Sequence, residues 1–237
     1  MDIHYTIGEN CSVAPTAVIE DGCVIGSNVV LHHNVVLYAG TRVGDNTEIF
    51  DNTVIGRPPK SAGNLVHKLA DLYAPVLIGS NCVIGSCVTI YAGCVFENNI
   101  LIGDGARVRE GAVVGDYAVI AMNCTFNHNV TFGSGSKIMD LSHVTPNTVV
   151  AENVFVGAGV ITVNDNAMRI KGSEVGRSAS IFIGTGARVG SGSLILPNQK
   201  IGSGALVGAC SLVSHDVPEG ETVLGIPARP RKKGTAE

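Results

Sequence analysis

Residues 101–133 read LIGDGARVREGAVVGDYAVIAMNCTFNHNVTFG, and every sixth residue is bulky and apolar: Ile102, Val108, Val114, Ile120, Phe126 and Phe132. The step continues outward, down through Phe96, Ile90 and Ile84 to Ile78 and up through Ile138, Val144 and Val150 to Val156. An earlier tract keeps the same step from Ile7 to Ile55, and a later one from Ile183 to Val213. Twenty-nine positions hold without a miss in a chain that is 45% hydrophobic, so chance agreement is on the order of 10⁻¹⁰. Six matches neither the period of an α-helix nor the alternation of a strand. It is the repeat of a parallel β-helix, in which each unit forms one short side of a coil. Gly8, Gly26 and Gly44 are eighteen residues apart, as markers of one corner would be. The expectation is an all-β fold: one parallel β-helix domain over residues 1–237 with roughly nine to ten coils.

Two segments break the step. Residues 57–77 carry Pro58-Pro59, and residues 163–181 are polar; both resume in register and so read as loops extruded from corners. Long loops on a rigid scaffold are where binding residues concentrate. Residues 214–237 form a short C-terminal cap and tail, with Val217, Val223, Leu224 and Ile226 available to cover the open end of the core.

Net charge is −4 and charged residues make up 15% of the chain. Nucleic-acid binding needs clustered Lys and Arg, and the one basic cluster is the tail Arg229, Arg231, Lys232 and Lys233. No membrane span or signal peptide is visible, which predicts a cytoplasmic protein. Of seven cysteines, Cys11, Cys23, Cys82, Cys94 and Cys124 fall two residues before an inward aliphatic, where strand alternation wants a small core side chain. They read as buried small hydrophobes, not metal ligands or disulfides.

The units KIGSGALVGACSLV and LIGDGAR resemble the hexapeptide-repeat acyltransferases, and the resemblance runs over nearly the whole chain. Ile55-Gly56-Arg57-Pro58-Pro59-Lys60 is similar to the G-x-P-P segment of sugar and lipid A acyltransferases. Phe126-Asn127-His128-Asn129-Val130-Thr131-Phe132-Gly133 matches, in phase, the segment that carries their catalytic histidine. Thr162-Val163-Asn164-Asp165-Asn166 looks like the T-x-N-D segment of nucleotide-sugar N-acetyltransferases. Val217-Pro218 with Gly225-Ile226-Pro227-Ala228-Arg229 is close to the ending of the acetyl-CoA users. The resemblance implies a left-handed coil, a homotrimer and acetyl-CoA as co-substrate; no metal is expected, because no two histidines have the five-residue separation that the related γ-class carbonic anhydrases use for zinc. Two departures stand out: Ile226 replaces the usual Asn of that ending, and Pro146, one coil beyond His128, lacks the N–H that binds the oxyanion in several relatives. Either a neighbouring amide such as that of Asn147 serves, or stabilisation comes from elsewhere, or this subgroup uses another geometry.

Acyl transfer from a thioester calls for a neutral imidazole as base. His128 is the first candidate, although Leu31-His32-His33-Asn34-Val35 repeats its local string. His143 is the second, outward on a flat face, and Asp140 is placed to orient a histidine or bind an amine. Asn164, Asp165 and Asn166 begin the second loop and read as acceptor or donor contacts. In the first loop Lys60, Asn64, His67, Lys68 and Tyr73 could approach a nucleotide. Arg229, Arg231 and Lys232 suit the phosphates of coenzyme A, and by analogy the pantetheine arm runs beside Gly208, Ala209 and Ser211. No nucleophile elbow, P-loop or dinucleotide fingerprint occurs.

The resulting expectation is an acetyl-CoA-dependent N-acyltransferase acting on a nucleotide-linked amino sugar. The alternatives are an acyl-carrier-protein-dependent UDP-sugar acyltransferase of the lipid A type, and a non-catalytic β-helix interaction module.

Overall fold

The computed structural model describes residues 4–63, 69–165 and 180–231. The chain winds into a three-sided prism of short parallel strands, the left-handed β-helix that the family resemblance implies. The first face has ten strands, the second twelve and the third ten. Coils stack eighteen residues apart: Arg107 pairs with Thr125, and Val108 with Phe126. Each strand is mostly two residues, one outward and one inward. The inward residues form one continuous core from Ile19 to Val223. Phe126 and Phe132 fill its middle, their rings 5.2 Å apart.

The corners explain the abundance of Asn and Gly. Three residues past most inward aliphatics the backbone is left-handed, as at Asn129 (φ 56) and Asn147 (φ 57), a region that Asn tolerates better than branched or bulky residues. Stacked corner amides then bond along the axis: Asn28 Nδ2 donates to Asn46 Oδ1 at 3.0 Å, and Asn129 Nδ2 to Asn147 Oδ1 at 3.2 Å.

The structure corrects the reading in four places. Ten full coils and part of an eleventh form, because Thr162 occupies an inward position that an apolar count skips and because Val217 and Val223 continue the stack. Strand structure extends to Arg57 and restarts at Leu77, and Ile181 is already buried, so both loops are a little shorter than expected. In the cap, Val217 and Val223 are buried, but Leu224, outward in the strand Thr222–Leu224, and Ile226, beyond it, are exposed. Cys23, Cys82, Cys94 and Cys124 lie in the core as expected, while Cys11, in the lowest coils where Ile7 and Val13 are also exposed, is only partly covered.

Candidate active site along the third edge

Each face is followed by an edge, and the edge after the third face gathers most of the chemistry. Ile55 pairs with Ile90, and Thr162 with Ile195, thirty-five and thirty-three residues on instead of eighteen. Both insertions therefore leave the helix at the third edge. His128 follows Thr125–Phe126 of the third face and occupies the same edge, half-buried. With coils about 4.8 Å apart, it stands three coils above the first insertion and two below the second.

Asn127 sets the state of this histidine. Its Oδ1 lies 2.9 Å from the backbone N of His128 and 3.1 Å from ring Nδ1. A backbone N–H can only donate, so the facing atom is the amide oxygen and not its nitrogen. The same oxygen can only accept from Nδ1, which therefore carries the ring proton. Nε2 is left with its lone pair, the form a general base requires.

One coil below, at the position eighteen residues before His128, Glu110 is buried at 4% exposure. It holds Arg109 in a two-pronged ion pair, Nε to Oε2 at 3.0 Å and Nη2 to Oε1 at 2.8 Å. The Arg109 guanidinium also lies over the ring of Tyr91, one coil further down, at 5.8 Å, and Arg57 approaches the same ring at 5.6 Å. None of Arg57, Tyr91, Arg109, Glu110 or Asn127 was singled out as a site residue from sequence. Stepping back from His128 by the eighteen-residue coil reaches Glu110, and stepping back from Asn127 reaches Arg109 and Tyr91.

The other candidates divide between edges. His143 projects from the third face with Nδ1 2.6 Å from Thr125 Oγ1, and burial lowers its pKa. Asp140 is on the second edge, across that face from His128, and its Oδ1 accepts the Met122 amide at 3.0 Å; Asn127, not Asp140, orients His128. His33 also lies on the second edge, facing Thr16 Oγ1 at 3.2 Å, so the repeated string does not place a second histidine at this site. Asn164 and Asp165 are half-buried on the third edge. At the foot of that edge Lys60 is exposed, and Tyr73, whose hydroxyl accepts the Ala70 amide at 3.0 Å, lines a groove of about 240 Å³ with Tyr38 and Gly56. Asn64, His67, Lys68, Asn166 and Lys232 lie outside the described residues.

Gly208 and Ala209 sit on the second edge, near the top of the prism. Ser211 is buried there, its hydroxyl accepting the Gly225 amide at 3.1 Å. Arg229 instead borders a groove of about 310 Å³ with His215 and Asp216 at the upper end of the third edge, four coils above His128. Arg231 is exposed, and its backbone extends the cap by donating to Thr222 O at 2.8 Å. Pro146 follows the third face one coil above His128, and Asn147 donates its amide to the His128 carbonyl at 3.0 Å. That amide is engaged in the coil-to-coil ladder, which removes it as an oxyanion donor. Among the described residues no group of three His, Cys, Asp or Glu could hold a metal ion, and no helix is long and apolar enough to cross a membrane.

Comparison with known proteins bears on this geometry. Residues 4–39 and 22–57 match the family described as bacterial transferase hexapeptide (six repeats). The bifunctional protein GlmU of Thermotoga petrophila is 30% identical over 187 residues, covering 72% of this chain and 39% of that protein. A serine acetyltransferase of Buchnera aphidicola is 35% identical over 89 residues, covering 35% of this chain and 34% of the relative. The chain thus spans between a third and two-fifths of the length of these relatives. Among solved structures, a UDP-N-acetylglucosamine acyltransferase from Campylobacter jejuni shares the fold with a TM-score of 0.59 at 19% identity, covering 93% of this chain and 74% of that one. Residues 4–57 thus carry the repeat of the bacterial hexapeptide transferases, and the coil and these relatives are consistent with that family of β-helices.

Proposed function

We propose that the protein is an acyltransferase that moves an acetyl group from acetyl-CoA to the amine of a nucleotide-linked sugar, with His128 as general base. The observation that carries this reading is the Asn127–His128 pair: a tautomer-fixed imidazole on the edge from which both insertions depart.

The neutral amine of the acceptor attacks the thioester carbonyl. As the C–N bond forms, Nε2 of His128 takes the amine proton. Collapse of the tetrahedral intermediate breaks the C–S bond, and the imidazolium returns the proton to the departing sulfur, so an amide and free coenzyme A leave. Asn127 keeps Nδ1 protonated throughout and accepts from the imidazolium when it forms. Glu110 and Arg109 fix the coil beneath. Arg229, in the strand that ends the second sheet at the top of the prism, is the candidate partner for the donor's phosphates; Asn164 and Asp165 at the base of the second insertion, and Lys60 and Tyr73 at the first, are the candidate acceptor contacts. A homotrimer belongs to this proposal. So does His143, as a neutral side chain on the face beside the site.

The test is a panel of UDP- and dTDP-linked amino sugars with acetyl-CoA, read by release of free thiol. Turnover of at least one amine-bearing member is the expected result. No thiol release with any member, together with no binding of coenzyme A at millimolar concentration, would overturn the donor and acceptor assignments together.

A further inference from the structure

We propose that Arg57 and Arg109, stacked on Tyr91, form a clamp for the diphosphate of the nucleotide-linked acceptor, a subsite that rests on the reading above and adds a binding element to it.

Three features build the clamp. The first is a distortion of the backbone. The strand Val54–Arg57 has four residues where its neighbours Val36–Leu37 and Thr89–Tyr91 have two and three, and its register against Thr89–Tyr91 shifts so that Tyr91 pairs with Arg57. The extra residue is Gly56, at φ +92, where a Cβ would stand 2.9 Å from both Tyr38 Cβ and Thr41 Oγ1. Only glycine fits there, and the bulge it allows brings Arg57 into one column with Tyr91 and Arg109.

The second feature is charge. Arg57 is exposed, and among the described residues the Tyr91 ring is the one partner shown for its guanidinium. Arg109 is immobilised by buried Glu110 through Nε and Nη2, and Nη1 has no hydrogen-bond partner among the described residues. The two guanidinium carbons can be at most about 11 Å apart, given their distances from the ring between them. With charge-assisted bonds of about 2.8 Å at each end, a span up to that length admits two joined phosphates.

The third feature is position. Arg109 lies one coil and Arg57 three coils below His128, or about 5 and 14 Å along the edge. A sugar amine at Nε2 would place its diphosphate over this column. The nucleobase would then fall at the groove of about 240 Å³ between Tyr38 and Tyr73, where aromatic side chains offer stacking surfaces.

The test is calorimetric binding of pyrophosphate, UDP, dTDP and uridine to the full chain and to Arg57→Gln and Tyr91→Leu. Arg109 is left intact because removing it breaks the ion pair of a buried carboxylate. The expected result is that UDP or dTDP binds to the wild type, pyrophosphate more weakly and uridine more weakly still, and that Arg57→Gln weakens diphosphate binding at least tenfold. In turnover, Arg57→Gln raises KM for the nucleotide-linked acceptor by a similar factor and leaves kcat and KM for acetyl-CoA within twofold. Unchanged UDP affinity in a folded Arg57→Gln protein, or a wild type that binds none of the diphosphates at millimolar concentration, overturns the clamp. Neither result depends on acyl transfer, so a protein that acetylates free amino sugars while ignoring UDP would refute the clamp and leave the role of His128 standing.

Discussion

The side-chain oxygen of Asn127 accepts from both the backbone N–H and the ring Nδ1–H of His128. A corner residue is held by the residue just before it, so the base is preorganised within a single turn. Removing the acceptor frees the ring to rotate and to exchange tautomers. Asn127→Leu is expected to lower kcat by roughly 10- to 100-fold. Asn127→Asp places an anion beside Nδ1, favours the imidazolium, and moves the acid limb of the kcat/KM profile to higher pH. A profile unmoved by that substitution would show that Asn127 does not act through the imidazole.

His143 gives the fold a pH dependence of known sign. Burial against the third face holds its pKa below the ordinary 6.5, so the unfolded chain takes up this proton before the folded one does. The stability it contributes is complete above about pH 6.5 and is lost as the pH falls from there toward the depressed folded value. The wild type should therefore lose more melting temperature between pH 7.5 and 5.5 than His143→Gln does. Parallel curves for the two proteins would contradict the burial.

The thiols should separate into classes. Cys94 is pushed up to about 12 by burial, and burial also raises Cys23, Cys82 and Cys124. Cys87 and Cys210 are exposed at corners. An aromatic disulfide reagent should modify these two rapidly in native protein, Cys11 more slowly, and the remaining four only after denaturation. Fast native modification of Cys94 would mean that the core is not packed as described.

Tyr117 and Leu141 occupy left-handed corner positions (φ 59 and 62) that elsewhere hold mostly Asn or Gly, and both are exposed. Each stores about 1 kcal/mol of backbone strain. Leu141→Asn and Tyr117→Asn should each raise stability by about that amount, measured by denaturant unfolding. Destabilisation in both would mean that these side chains make compensating contacts.

The coil was legible because its rule is local and strict: one apolar residue in six, repeated until an insertion interrupts it. Where the rule relaxes, the reading stopped early. Thr162 satisfies an inward position with a hydroxyl that donates to the His143 carbonyl at 3.1 Å, and an apolar filter passes over it. His128 was found through its local string, but that string alone could not separate it from His33. The two differ by edge, which only the position within a coil reveals. Glu110, Arg109, Tyr91 and Arg57 were missed for the opposite reason. They carry no local motif, and they meet because successive coils stack. Arg57 also needs the Gly56 bulge to enter the column, which no fixed period anticipates. The donor groove was assigned to Gly208, Ala209 and Ser211 by analogy, and the coil sets those residues on a different edge from His128.

The most direct measurement of the central claim is the acetyl-transfer rate of His128→Ala against wild type, with a nucleotide-linked amino sugar and acetyl-CoA and with folding verified by the thermal transition. Loss of the general base is predicted to lower kcat by about 10²–10⁴ while coenzyme A still binds within a few-fold of the wild-type affinity. A correctly folded His128→Ala protein that turns over within threefold of wild type would contradict the account.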